Sequence, residues 1–161
     1  MNPRDNEYMR LALAQAELAA RAGEVPVGAV VVRGDRVIAS SHNLRETDKN
    51  ALAHAELLAI DAACRTLGGW RLTGCTLYVT LEPCPMCAGA IINARISRVV
   101  YGAADPKAGC CGSVANLFEM PFNHRPTITA GVLAEECAGL LSRFFSQRRL
   151  DKTLVPPAKS E

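Results

Sequence analysis

His54-Ala55-Glu56, followed further along by Pro83-Cys84-Pro85-Met86-Cys87, places an imidazole, two thiols and a carboxylate in a chain of 161 residues. Protein-bound zinc is nearly always tetrahedral; structural sites fill all four positions with side chains, and catalytic ones leave a position for water. His54, Cys84 and Cys87 make an open set of three, with Glu56 beside the vacancy. Zinc lowers the pKa of bound water from about 15.7 to roughly 7, which gives a nucleophile at neutral pH. Glu56 can then take a proton from the water, deliver it to a ring nitrogen and help a departing amine leave as ammonia. Such general acid–base work contributes on the order of 10²- to 10⁴-fold. Attack on an amidine-type carbon bearing an amino group, C4 of cytosine or C6 of adenine, suits this constellation.

The spacing dictates what must hold these groups. Two cysteines three apart lie on one helix face, and Pro83 and Pro85 mark a helix start, so both sulfurs can meet one ion from the first turn. The unpaired N–H groups and positive dipole end there favour thiolates. Residues two apart on a helix point roughly opposite ways, so His54 and Glu56 converge only if the motif straddles a helix entrance, which predicts a helix beginning at Ala55. Cys-x-x-Cys alone also reads as a redox pair or half a zinc ribbon. A redox pair has no use for His-x-Glu, and Cys64, Cys75 and the adjacent Cys110 and Cys111 lack the spacing of a second ribbon pair. One of those cysteines, or His42, is nonetheless available as a fourth ligand.

An apolar content of 49% over this length fits one globular domain, assigned to residues 1–150, with residues 151–161, containing Pro156-Pro157, as a basic, disordered tail. The seven cysteines are odd in number, no secretory leader pattern opens the chain, and the motif needs free thiolates; a reducing cytoplasm is the expected location. No apolar run approaches the roughly 20 residues that span a bilayer, so no membrane partner is expected. The net charge of +2 is uneven: Arg143, Arg148, Arg149, Lys152 and Lys159 oppose only Asp151 and Glu161. A basic terminal helix is either a solvated face or a phosphate-binding footprint.

Asn2 and Pro3 read as an N-cap and first-turn proline, with Leu11, Ala14, Leu18 and Ala22 as the buried stripe of a first helix. Val27–Val32, a turn at Gly34-Asp35, and Val37–Ala39 read as a hairpin, its continuous apolar run covered on both sides. A helix over about 55–67, a strand over 76–80, a helix over 84–94 and a strand over 99–101 follow. This rhythm predicts an α/β fold containing parallel strands, with helices on both faces of the sheet, and ligands at the strand ends. The loop 102–113 is either a surface connection or a substrate contact. A short strand is expected near Ile128. The last helix, about 133–149, carries Cys137, Leu140, Leu141 and Phe144 on one stripe.

With these blocks in view, the chain resembles the bacterial tRNA adenosine deaminases of the cytidine deaminase-like superfamily, over nearly its whole length to about residue 150. The resemblance rests on Glu24-Val-Pro-Val-Gly-Ala-Val30, His54-Ala-Glu56, Thr80-Leu-Glu-Pro-Cys-Pro-Met-Cys-Ala-Gly-Ala90, Arg98-Val-Val-Tyr-Gly102 and Asn123-His-Arg125. The zinc motif is common to the superfamily; the flanking blocks select the base. The resemblance implies a three-layer α/β/α sandwich with a mixed sheet of about five strands, and one Zn²⁺ per subunit on His54, Cys84 and Cys87. It implies Glu56 as proton shuttle and a flipped adenosine against Val27, Asn43 and Ala55. Inosine formation at the wobble position of a tRNA anticodon stem-loop, in a homodimer, is the implied activity.

A splayed loop base is a fitting target, since the reactive carbon is unreachable inside a stacked helix. Phe145, Arg148 and Arg149 then offer stacking and phosphate contacts at the rim, while Phe144 continues the core stripe. Asp105 resembles a family loop acid near the nucleotide, although Ala104 is smaller than the basic residue of some relatives. Asn43, after a strand, also reads as a turn former. Two other functions fit the zinc motif: deamination of a free base or nucleotide of guanine or cytosine type, and a zinc-stabilised module that binds without chemistry.

Overall fold

The computed structural model describes residues 2–154. In chain order it comprises α1 (Asp5–Arg21), β1 (Gly28–Arg33), β2 (Arg36–His42), α2 (Ala55–Leu67), β3 (Cys75–Leu81), α3 (Pro85–Asn93), β4 (Arg98–Ala103), a 3₁₀ turn (Leu117–Glu119), β5 (Thr127–Thr129) and α4 (Ala134–Leu154). The sheet order is β2-β1-β3-β4-β5. Strand β1 pairs antiparallel with both β2 and β3, whereas β3, β4 and β5 are mutually parallel. The sheet is therefore mixed.

Alternation along the central strands divides the interior into two layers. Val31, Leu77, Val79 and Val99 face α2 and α3, packing with Ala59, Ala63, Ala88 and Ile91. Val30, Val32, Tyr78 and Val100 face the other way, onto Tyr8, Met9 and Ala12 of α1 and Cys137 of α4. Both sides of β1 are covered, which is why its sequence is apolar without a break.

Helix α1 departs from the expected stripe. Leu11 and Leu18 are exposed, and the buried face is Tyr8, Met9, Ala12, Ala16 and Ala19. The reason is close packing: a Cβ at Gly28 would stand 2.0 Å from the Ala12 carbonyl oxygen and 2.5 Å from the Ala16 nitrogen. Only glycine on the strand and alanine on the helix permit that approach, so small residues rather than leucines mark the contact face. The cap also shifts. Arg4 is the N-cap, and Asn2 Oδ1 instead accepts from the Arg4 N–H at 2.9 Å.

Asp5, buried at the start of α1, joins three strands to the helix. Arg98 of β4 donates to both its oxygens at 2.8 and 2.6 Å, and the Tyr78 hydroxyl of β3 donates at 2.7 Å. Arg98 also donates to Thr129 of β5 at 2.9 Å. Burial pushes the Asp5 carboxyl up, but these bonds outweigh it and hold it below its ordinary value.

Helix α4 runs to Leu154, beyond the expected end at 149, so residues 151–154 continue the helix and the remaining tail lies outside the described residues. Cys137 is buried on its inner face and Phe144 half-buried, while Leu140 and Leu141 are only partly covered. No described helix is long and apolar enough to cross a membrane.

Candidate active site

The functional groups collect at two neighbouring helix entrances. His54, with φ −78° and ψ 150°, is the extended N-cap residue of α2, so Ala55 begins the helix as the motif requires. Cys84 is the N-cap of α3, with Pro85 at its first position and Cys87 in its first turn. Proline fits there because the first N–H has no intrahelical acceptor to lose.

His54 Nδ1 lies 3.7 Å from Cys84 Sγ and 3.6 Å from Cys87 Sγ, and the three ligand atoms lie within 4.8 Å of one another. Zinc bonds of about 2.3 Å to sulfur and 2.0–2.1 Å to nitrogen, at tetrahedral angles, separate N from S by roughly 3.6 Å. The donor set therefore fits a zinc ion. Among the described residues the cluster comprises these three; His42 and the remaining cysteines are not part of it. All seven cysteines are free thiols, and Cys110 and Cys111 are buried.

The Cys84 thiol is drawn down to about 4 by a hydrogen bond from Cys87, against burial, with His54 and the Cys87 backbone N–H assisting. Cys87 is pushed up by the same hydrogen bond and by burial. Unaided, the pair favours one thiolate; a divalent cation bound to both sulfurs ionises the second. The imidazole of His54 is raised chiefly by its hydrogen bond with Cys84.

Glu56 is 4% exposed. Burial pushes it up to about 7, opposed less strongly by its own backbone N–H, the charge of His54 and the Cys87 thiol. It faces a cavity of about 170 Å³, several times the roughly 30 Å³ share of one water. Its lining comes from Val25, Val27, Asn43 and Arg45 around β1 and the loop after β2, from His54, Ala55 and Glu56 at the α2 entrance, and from Leu81, Glu82, Cys84, Asp105 and Ala108 after β3 and β4.

Of the residues singled out from the sequence, Val27, Asn43, Ala55 and Asp105 thus surround the cavity together with Glu56, His54 and Cys84. Asn43 also makes the turn: its Oδ1 accepts from the Arg45 N–H at 3.1 Å and its Nδ2 donates to the Val25 carbonyl at 3.2 Å. Asp105 Oδ1 accepts from the Lys107 and Ala108 N–H groups at 3.0 and 3.2 Å. Phe145, Arg148 and Arg149 do not line this cavity; they lie exposed on α4, with Phe145 edge-on to Phe144 at 5.4 Å and Arg149 donating to Ser146 at 3.2 Å.

Two further glutamates, Glu24 and Glu82, are buried beside the site without being candidates on sequence grounds. Glu24 accepts from the Glu46 N–H at 3.0 Å and from Thr47 N–H and hydroxyl at 2.7 and 2.6 Å, fixing the loop after β2. Glu82 fixes the loop after β4 in the same manner. Burial acts to raise both, and the donors outweigh it, so both lie below the ordinary carboxylate value. Their sequence signal is an acid within an apolar or proline-flanked run, Glu24-Val-Pro-Val and Leu81-Glu-Pro, where an unpartnered charge would be costly.

A three-layer sandwich that presents an open His-Cys-Cys set and a buried carboxylate at two helix entrances is a cytidine deaminase-like protein. The MafB19-like deaminase family model matches residues 4–149, and the chain belongs to that family. It is 55% identical over 158 residues to a tRNA-specific adenosine deaminase of Bacillus subtilis (strain 168), covering 98% of each chain. To a Haemophilus influenzae protein of the same description it is 46% identical over 152 residues, covering 93% of this chain and 88% of the other. A solved structure from work on A-to-I editing by tRNA:A34 deaminases at the wobble position of transfer RNA superposes with a TM-score of 0.81 at 47% identity, covering 83% of this chain and 98% of that one.

Proposed function

We propose that this enzyme hydrolyses adenosine to inosine at the wobble position of a tRNA anticodon loop, releasing ammonia, with one zinc ion per subunit on His54, Cys84 and Cys87. The observation that carries the reading is the near-tetrahedral separation of the imidazole nitrogen from the two sulfurs beside a buried Glu56 that lines a cavity. The relatives named for tRNA adenosine deamination support the substrate.

Zinc, when bound, supplies a Lewis acid that makes water nucleophilic near neutral pH. The chain's own groups do the rest. Glu56 takes a proton from water as the new C6–O bond forms and passes it to N1 of the ring. It then carries a second proton to the exocyclic nitrogen as the C6–N bond breaks. Val27 and Ala55 offer apolar surface to a base, and the Asn43 amide, which lines the same cavity while bonded to the Arg45 N–H and the Val25 carbonyl, is assigned to the base edge with its remaining hydrogen-bonding capacity. Phe145, Arg148 and Arg149 are assigned to the RNA outside the cavity, where exposed aromatic and guanidinium groups stack on bases and neutralise phosphates.

We assign a homodimer as the working form. Support comes from a groove between the end of α3 and the segment after β4, where Ile92, Leu117 and Phe122 lie among the polar Asn93, Arg95 and Asn123, with Phe122 50% exposed. Seven free thiols suit the reducing cytoplasm, which we propose as the location.

The deciding experiment incubates the purified protein with total tRNA and sequences the product. Inosine at wobble adenosines, with free adenosine, guanine and cytosine turned over far more slowly, is expected. Equal rates on a free base and on an anticodon stem-loop would overturn the RNA reading.

A further inference from the structure

Glu82 stands between the last residue of β3 and the metal-ligand helix, and four donors converge on it. These are the backbone N–H groups of Asp105 at 3.2 Å, Cys111 at 3.0 Å and Ser113 at 3.1 Å, and the Ser113 hydroxyl at 2.5 Å. All four belong to the loop after β4. The neighbouring backbone completes the clasp: Glu82 N–H donates to the Ala103 carbonyl at 2.9 Å, and Cys110 N–H donates to the Pro83 carbonyl at 2.8 Å. The carboxylate is 2% exposed, so these bonds are made away from water, where charge-assisted bonds are strong and their loss costly.

The loop has little freedom to relax around this centre. A Cβ at Gly109 would stand 2.3 Å from a Glu82 carboxylate oxygen and 2.5 Å from the Asp105 carbonyl oxygen, so the chain passes against the carboxylate with no room for a side chain. Gly109 N–H donates in turn to the Asp105 carbonyl at 2.9 Å. The result is a tight turn that presents Asp105 and Ala108 to the cavity that Val25 and Asn43 also line.

We propose that Glu82 is a positioning residue for the reaction: by anchoring the 105–113 segment it builds one wall of the pocket and sets where the base lies relative to the zinc ligands. The kinetic part of this proposal rests on the deaminase reading above. Geometry is the reason for a kinetic effect, since a misplacement of about 1 Å can cost on the order of 10²-fold in rate. Glutamine at 82 retains one acceptor oxygen but turns an amide N–H₂ toward N–H donors. Aspartate keeps the charge one methylene short.

The test compares Glu82→Gln, Glu82→Asp and Ser113→Ala with the unaltered protein, all zinc-loaded, by amide hydrogen exchange over 104–116, zinc content, and kcat and KM on an anticodon stem-loop. Glu82→Gln is expected to keep its zinc, to exchange the 105–113 amides at least about 10-fold faster, and to lose roughly 10- to 100-fold in kcat/KM per zinc-loaded molecule, with Glu82→Asp recovering most of the loss. A residue that only stabilises the fold would lower the melting temperature and leave kcat and KM per loaded molecule unchanged; that result overturns the proposal, as does unaltered exchange. Should Glu82→Gln fail to fold, Ser113→Ala, which removes one donor and leaves the carboxylate, decides: faster loop exchange with reduced kcat/KM supports the anchor, and wild-type values for both overturn it. If the unaltered chain does not turn over the stem-loop, the substrate reading falls instead, and the exchange data still decide whether Glu82 holds the wall.

Discussion

Glu56 and Glu82 open onto the same cavity, are 4% and 2% exposed, and each stands two residues before or after a metal ligand, yet they are driven in opposite directions. Glu56 has around it its own backbone N–H and a thiol, and burial raises it to about 7. Glu82 has four donors from one loop, and they outweigh its own desolvation and hold it low. Low solvent exposure alone therefore does not decide what a carboxylate does. The number of N–H groups aimed at it separates an acid that can exchange protons from one that serves as a fixed anchor.

The severest way to break the comparison is to remove what the site is built around. Dialysis against a strong chelator should reduce deamination to background, and stoichiometric zinc should restore it; activity persisting in metal-free protein, checked by elemental analysis, contradicts the open-site reading. Next in size is Glu56→Gln, expected to lower kcat by at least about 10²-fold while zinc content and melting temperature stay near those of the unaltered chain. A variant with normal turnover would remove Glu56 from the proton path.

A third buried acid sharpens the contrast on the opposite face. Asp5 is 1% exposed on its side chain and its partner Arg98 20%; Arg98→Ala leaves the carboxylate buried and unpaired, and about 3–5 kcal/mol of stability should be lost in urea unfolding. Because the folded value of Asp5 lies below its unfolded value of roughly 3.9, its contribution is complete above that pH and fades as pH falls through the folded value. Asp5→Asn should correspondingly flatten the acid limb of the stability profile. The smallest effect is expected for Glu24→Gln, about 1–3 kcal/mol from the loss of charge-assisted bonds to Glu46 and Thr47, with faster amide exchange in the loop after β2.

What was legible from the sequence was whatever is specified locally. The helix start at Ala55 follows from His54 and Glu56 having to converge, and the α3 start from prolines beside Cys84; both are met within a residue. The double-sided burial of β1 was readable in Val30-Val31-Val32. What escaped depended on distant partners. The buried face of α1 is chosen by Gly28, so Leu11 and Leu18 point outward despite their helical spacing. Strand direction was partly legible: the hairpin reading gives β1 antiparallel to β2 and the alternating rhythm anticipates the parallel β3, β4 and β5, but nothing local shows that β1 also pairs antiparallel with β3. Nothing local marks Glu82 as an anchor, because its donors come from 23 to 31 positions away.

The placement of the ligands on two separate helix entrances ties ion capture to assembly. His54 follows β2, Cys84 and Cys87 follow β3, and β1 lies between those strands in the sheet. Neither half can grip a cation in the proper geometry until all three strands have zipped together. A cation held by both halves would therefore be retained only by the assembled sheet, and its binding would add stability to the finished molecule alone.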